Sequence, residues 1–68
     1  MNDTVINKVK EFRTKLELTQ KDLAKLAGVS RQSINSIEKG KYIPSLPLAL
    51  KLAKIFECKV DELFKLEE

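Results

Sequence analysis

The chain has few residues able to do chemistry, and their types favour recognition over bond making. It contains no histidine, which removes Ser–His and Cys–His nucleophile pairs, a histidine general base and every histidine-containing zinc site. Its single cysteine, Cys58, has no intramolecular disulfide partner, and the neighbouring Phe56 and Val60 mark it as a packed thiol in a reducing compartment. The adjacent carboxylates Asp61 and Glu62 diverge by about 100° around a helix. No metal motif surrounds them, and they read as surface charges near a helix start. Neither an enzyme nor a cofactor is expected. What remains is a run of hydrogen-bonding groups: a guanidinium, two carboxamides and a hydroxyl, on Arg31, Gln32, Asn35 and Ser36. Groups of this kind match fixed patterns of donors and acceptors.

Such groups need a rigid element to hold them. Helical periodicity dominates from Val5 to Leu66, punctuated by two Gly and two Pro, and no alternating strand pattern appears. The pattern predicts five helices, over about 6–16, 20–27, 31–38, 46–56 and 60–66. In the first, Val9, Phe12 and Leu16 line one face. Thr19 caps the second, with Asp22 placed as the reciprocal arm of a capping box, and Gly28 ends it where a positive φ is needed. Ser30 caps the third, which turns Ile34 and Ile37 inward and stops at Gly40. Ser45 caps the fourth, Pro47 sits harmlessly in its first turn, and Leu46, Ala49, Leu50, Leu52, Ala53 and Phe56 make a broad apolar face. The short fifth helix adds Leu63 and Phe64. Apart from the short connections between them, only Met1–Val5 and Glu67–Glu68 fall outside these helices.

At 68 residues there is room for one small domain, 1–68, whose core must be economical. A hydrophobic fraction of 43% beside 34% charged residues fits a globular chain rather than a disordered one. Residues 1–41 hold nine basic and five acidic groups, whereas residues 42–68 hold four and five, so the net charge of +3 is concentrated in the half that carries the polar cluster. The stretch Met1–Lys15 lacks a signal-peptide core, and no window approaches a membrane span, so a soluble cytoplasmic protein is expected.

The second and third predicted helices form the informative unit. Counting from Gln20, apolar residues fall at the fourth, eighth, tenth, fifteenth and eighteenth places, namely Leu23, Ala27, Val29, Ile34 and Ile37, with the small Ala24 at the fifth. Two helices joined by a three-residue turn cross steeply, so the crossing needs a small residue and the turn needs an unusual backbone; Ala24 and Gly28 meet those demands. This is the helix-turn-helix pattern, whose second helix is presented to the major groove of DNA.

The segment TQKDLAKLAGVSRQSINSIEKGKYIPSLPLALKLAKIF closely resembles the Cro/CI-type, or XRE, family of helix-turn-helix regulators, and the similarity runs from roughly Ile6 to Phe64. Within that family the chain looks most like the compact stand-alone bacterial and archaeal regulators. The resemblance implies an all-α, five-helix, lambda-repressor-like domain. It implies a transcriptional regulator, a repressor, that binds double-stranded DNA at an inverted-repeat operator as a homodimer. In that docking geometry Arg31, Gln32, Asn35 and Ser36 face base edges, where Arg suits guanine O6 and N7 and Gln or Asn suits adenine N7 and N6. Gln20 is carried over as a phosphate contact, joined by Thr19 and Ser30 at the helix starts and by Lys39, Lys41 and Tyr42 beyond the third helix. Arg13 and Glu38 match a family pair that ties the first helix to the third.

The chain departs from the family between the fourth and fifth helices, where Glu57, Cys58 and Lys59 replace the usual Gly, apolar residue and cap. That places a C-terminal dimer seam at Phe64 and Leu66. Two recognition helices would then stand about 34 Å apart. No small-molecule effector or membrane partner is indicated. The competing reading, an antitoxin or other module that binds a protein partner as well as its own promoter, needs a covering segment, for which only the short ends are left over. RNA reading lacks a stacking platform, since Tyr42 is the one exposed aromatic candidate.

Overall fold

Three helices begin on a hydroxyl group. The structure, a computed structural model, describes residues 4–67; the sequence-predicted ends Met1–Asp3 and Glu68 lie outside the described residues. Thr19 Oγ1 accepts from the Asp22 amide at 3.0 Å while Asp22 Oδ2 accepts from the Thr19 amide at 2.9 Å, a complete capping box that starts α2 (Gln20–Ala27). Ser30 Oγ accepts from the Ser33 amide at 3.0 Å and starts α3 (Arg31–Glu38). Ser45 Oγ accepts from the Leu48 amide at 3.3 Å and starts α4 (Leu46–Ile55). The first two match the expected bounds, and α4 stops one residue early because Phe56 serves as its C-cap. Gly28, at φ 73°, holds the left-handed position that ends α2.

The remaining elements correct the all-α expectation. The first helix, α1, spans only Val9–Lys15, and α5 only Val60–Leu63; the residues assigned to their outer ends form two strands, β1 (Val5–Asn7) and β2 (Phe64–Leu66). These pair antiparallel, with Val5 opposite Leu66 and Asn7 opposite Phe64. The cause is tertiary. Asn7 Oδ1 accepts the Val9 amide at 3.2 Å, its Nδ2 donates to the Ile37 carbonyl at 2.8 Å, and the Lys8 amide donates to the Leu63 carbonyl at 2.9 Å. These bonds satisfy backbone groups that a longer helix would have used and tie the start of the chain to the ends of α3 and α5.

The core is built from Val9, Leu23, Ile34, Ile37, Leu52 and Leu63, none more than 1% exposed, with Ala24, Ala27, Ala53 and Phe56 around them. Ala24 is buried on α2, which packs against α3. Phe12 stacks on Phe56 with ring centroids 5.6 Å apart, bringing α1 onto the end of α4. Three residues expected inside are exposed instead: Leu16 at 52%, Leu46 at 67% and Leu50 at 51%. Leu16 is already the C-cap of the shortened α1, and α4 packs against α2 and α5 through a narrower stripe of Ala49, Leu52 and Ala53. At the α4–α5 turn Glu57 adopts φ 54°, taking with a side chain the position that Gly28 fills without one. The start of α5 is held by Glu62 Oε1 accepting from the Lys59 amide at 2.8 Å. Cys58 is half-buried there; burial pushes its thiol pKa up, and the Glu62 charge adds to the shift. Among the described residues no helix is long and apolar enough to cross a membrane.

Candidate nucleic-acid interface

Because Ile34 and Ile37 anchor one side of α3 in the core, the helical period turns Arg31 and Gln32 outward, and both are exposed. Gln32 stands between two shallow hollows. One is lined by Ser30, Ser33, Ser36 and Tyr42, the other by Gln20, Arg31 and Asn35. The fold thus gathers the candidate base contacts Arg31, Gln32, Asn35 and Ser36 into one polar stripe and borders it with Tyr42 from the following loop and Gln20 from α2. Asn35 and Ser36 are half-buried, one helical turn further in. Ser33, which sequence reasoning passed over, joins this face; its hydroxyl lies 3.0 Å from that of Ser30. The three-residue spacing from Ser30 was the available signal.

The backbone-contact candidates fall at both ends of this stripe. Lys39 and Lys41 are exposed beyond α3, and the Lys41 amide donates to the Ser36 carbonyl at 2.9 Å, which fixes where the loop leaves the helix. Thr19 and Ser30 carry helix caps, so each keeps only the remaining hydroxyl capacity for an outside partner. The Thr19 bonds, backbone first and side chain second, hold the Asp22 carboxyl below the usual aspartate range, so a negative charge already occupies the first turn of α2.

Arg13 and Glu38 meet beneath this surface. Arg13 Nε donates to Glu38 Oε2 at 2.7 Å and Nη2 donates to Oε1 at 3.2 Å, with side chains 12% and 4% exposed. A third donor, Arg13 Nη1, reaches the Leu18 carbonyl at 2.8 Å. Gln20, expected at a phosphate, is turned toward this pair: its Nε2 donates to Glu38 Oε1 at 3.1 Å and its Oε1 accepts from Asn35 Nδ2 at 3.3 Å. One Gln20 N–H remains for an outside acceptor. The link between Gln20 and Asn35 is invisible to local pattern reading, because it spans fifteen residues.

The seam candidates sit on the strand pair, beside the C-terminal end of α3. Phe64 is half-buried against the core and borders a small apolar hollow with Val5, Tyr42, Ile43 and Pro44. Leu66, opposite Val5, is 62% exposed.

Comparison with known proteins identifies the helix-turn-helix. A family model described as Helix-turn-helix matches residues 9–63. The HTH-type transcriptional regulator MJ0272 of Methanocaldococcus jannaschii is 56% identical over 62 residues, covering 91% of this chain and 94% of that protein. The HTH-type transcriptional regulator YgzD of Bacillus subtilis is 50% identical over 62 residues, with the same coverage of 91% and 94%. Among solved structures, the restriction-modification controller protein C.AhdI from Aeromonas hydrophila superposes with a TM-score of 0.73 at 35% identity, covering 79% of this chain and 82% of that one.

Proposed function

The chain belongs to the Cro/CI-type helix-turn-helix family of DNA-binding transcriptional regulators, and from that premise we propose that it is a repressor acting as a homodimer on an inverted-repeat operator. The observation that carries this reading is the outward stripe of Arg31, Gln32, Asn35 and Ser36 on a helix whose other side is locked into the core by Ile34 and Ile37. In the proposed complex α3 lies in the major groove, Arg31 donates to a guanine edge and Gln32 pairs with adenine. Thr19, Gln20, Ser30, Lys39, Lys41 and Tyr42 hold the phosphates on either side and set the register. Repression follows from occupancy alone, since a protein seated across a promoter excludes polymerase without contacting it.

Dimerisation is supported by apolar surface on the strand pair and the loop after α3. Leu66 and Ile43, 62% and 63% exposed, lie near Phe64, and a second copy covering Phe64 and Leu66 would remove this surface from water. The two α3 helices would then address successive major grooves about 34 Å apart.

The test is selection from random duplex DNA by the purified protein and by Arg31→Ala and Gln32→Ala variants with verified folds. The expected result is an inverted repeat in which each variant loses preference at one base per half-site, by about 1–3 kcal/mol. Enrichment of no sequence at moderate salt would overturn the reading. Lys41→Ala should instead weaken all sequences alike and lower the slope of log K against log salt by about one for each half-site.

A further inference from the structure

The hydrogen bonds beneath α3 form a chain with a fixed direction, and resting on the DNA-reading role above, we propose that Glu38 and Gln20 determine which bases Asn35 accepts. A carboxylate offers acceptors only. Glu38 is gripped by Arg13 through both oxygens, and its Oε1 also takes the Gln20 Nε2 donor at 3.1 Å. With one Nε2 hydrogen held by Glu38, Gln20 turns its oxygen to Asn35 and its second N–H away from it, and Oε1 accepts from Asn35 Nδ2 at 3.3 Å. Asn35 therefore turns its nitrogen inward toward α2, and its Oδ1 faces the other way.

An unrestrained asparagine can rotate its carboxamide by half a turn and serve either a donor or an acceptor on DNA. Here that freedom is removed by a group two residues removed in the chain of bonds and never in contact with DNA. Asn35 presents an acceptor, with one spare N–H beside it. That arrangement fits adenine, whose N6 donates and N7 accepts, and it fits the cytosine N4 amine. It disfavours guanine and thymine, whose O6 and O4 would face the Asn35 oxygen. Gln20 and Glu38 are positioning residues in this scheme, and Asn35 alone touches the base.

One atom should reverse the chain. In Glu38→Gln the side-chain oxygen keeps the shorter Arg13 Nε bond, 2.7 Å in the parent, the new amide nitrogen takes the place of Oε1, and Arg13 Nη2, which donated to Oε1 at 3.2 Å, gives up that bond. That nitrogen donates to Gln20 Oε1, Gln20 then donates to Asn35 Oδ1, and Asn35 turns its amide nitrogen outward. Gln20→Met removes the link and leaves the carboxamide free to rotate.

The experiment is selection from random duplex DNA by the full chain and by Asn35→Ala, Glu38→Gln and Gln20→Met, each melted by circular dichroism to establish that it is folded at the selection temperature. Asn35→Ala identifies the base pair concerned by losing preference there alone. At that position the parent is expected to prefer adenine or cytosine on one strand by roughly tenfold. Glu38→Gln should exchange this for guanine or thymine on the same strand, and Gln20→Met should bring the preference close to parity while the rest of the motif persists. Loss of the Gln20 phosphate contact lowers all affinities alike and leaves base choice untouched, so an unchanged base at this position in both relay variants would overturn the proposal while leaving the DNA-reading role intact. Should Glu38→Gln fail to fold, Gln20→Met decides alone: parity supports the relay and a retained preference overturns it. A parent that selects no sequence would overturn the underlying reading together with this one.

Discussion

The two turns that follow α2 and α4 make the same bend with opposite chemistry. After α2 the left-handed position is filled by Gly28 at φ 73°, and α3 begins on the hydroxyl of Ser30. After α4 it is filled by Glu57 at φ 54°, and α5 begins at Lys59, whose side chain makes no cap. A residue with a Cβ in this region costs about 1–2 kcal/mol, and an absent N-cap leaves helix amides without their usual acceptor. The turn that presents α3 is thus locally favourable, whereas the C-terminal turn is held by its surroundings: Leu63 is buried, Glu62 reaches back to the Lys59 amide, and β2 is clamped on β1. The difference shows where local residues alone favour the fold, namely at the turn that presents the element proposed to read DNA.

The strongest challenge to that contrast is to remove the anchor beneath α3. Arg13→Ala leaves the Glu38 carboxylate, 4% exposed, without its charged partner. A loss of about 3–5 kcal/mol is expected, large enough to unfold the domain near room temperature, and a circular dichroism melt matching the parent would refute the structural role of the pair. Next comes Gly28→Ala, whose new Cβ would lie 3.4 Å from the flexible Lys51 Nζ, so the penalty is one of backbone rather than space. It should cost about 1–2 kcal/mol in urea unfolding.

The mirror experiment is Glu57→Gly. Relief of the left-handed side chain, offset in part by the greater freedom of glycine when unfolded, should stabilise by about 0.5–1 kcal/mol. Effects of opposite sign at the two turns would sharpen the comparison, and a destabilised Glu57→Gly would show that the glutamate side chain has a packing role. The smallest effect concerns pH. Asp22 titrates below the ordinary aspartate range because Thr19 bonds to its charged form. Its contribution is therefore complete above the unfolded-state value and is lost as pH falls through the folded one. Asp22→Asn should flatten the acid limb of the stability curve while leaving the neutral region close to that of other cap variants, as read from melts across the acid range.

Much of the fold was written locally. Thr19 with Asp22, Ser30 and Ser45 state in the sequence where α2, α3 and α4 begin, because a cap and its partner lie within three residues. The spacing of Leu23, Ala24, Gly28, Ile34 and Ile37 likewise determined the helix-turn-helix and, through its period, which side chains face out. Tertiary structure alone decided the rest. Val5–Asn7 and Phe64–Leu66 are strands because they meet each other, and a three-residue strand carries too little alternation to announce itself. Leu46 and Leu50 have core chemistry but lie on the side of α4 that the described residues leave exposed. The orientation of Asn35 depends on Gln20 and Glu38 from two other points of the chain, a condition set by distance in space and absent from any local spacing.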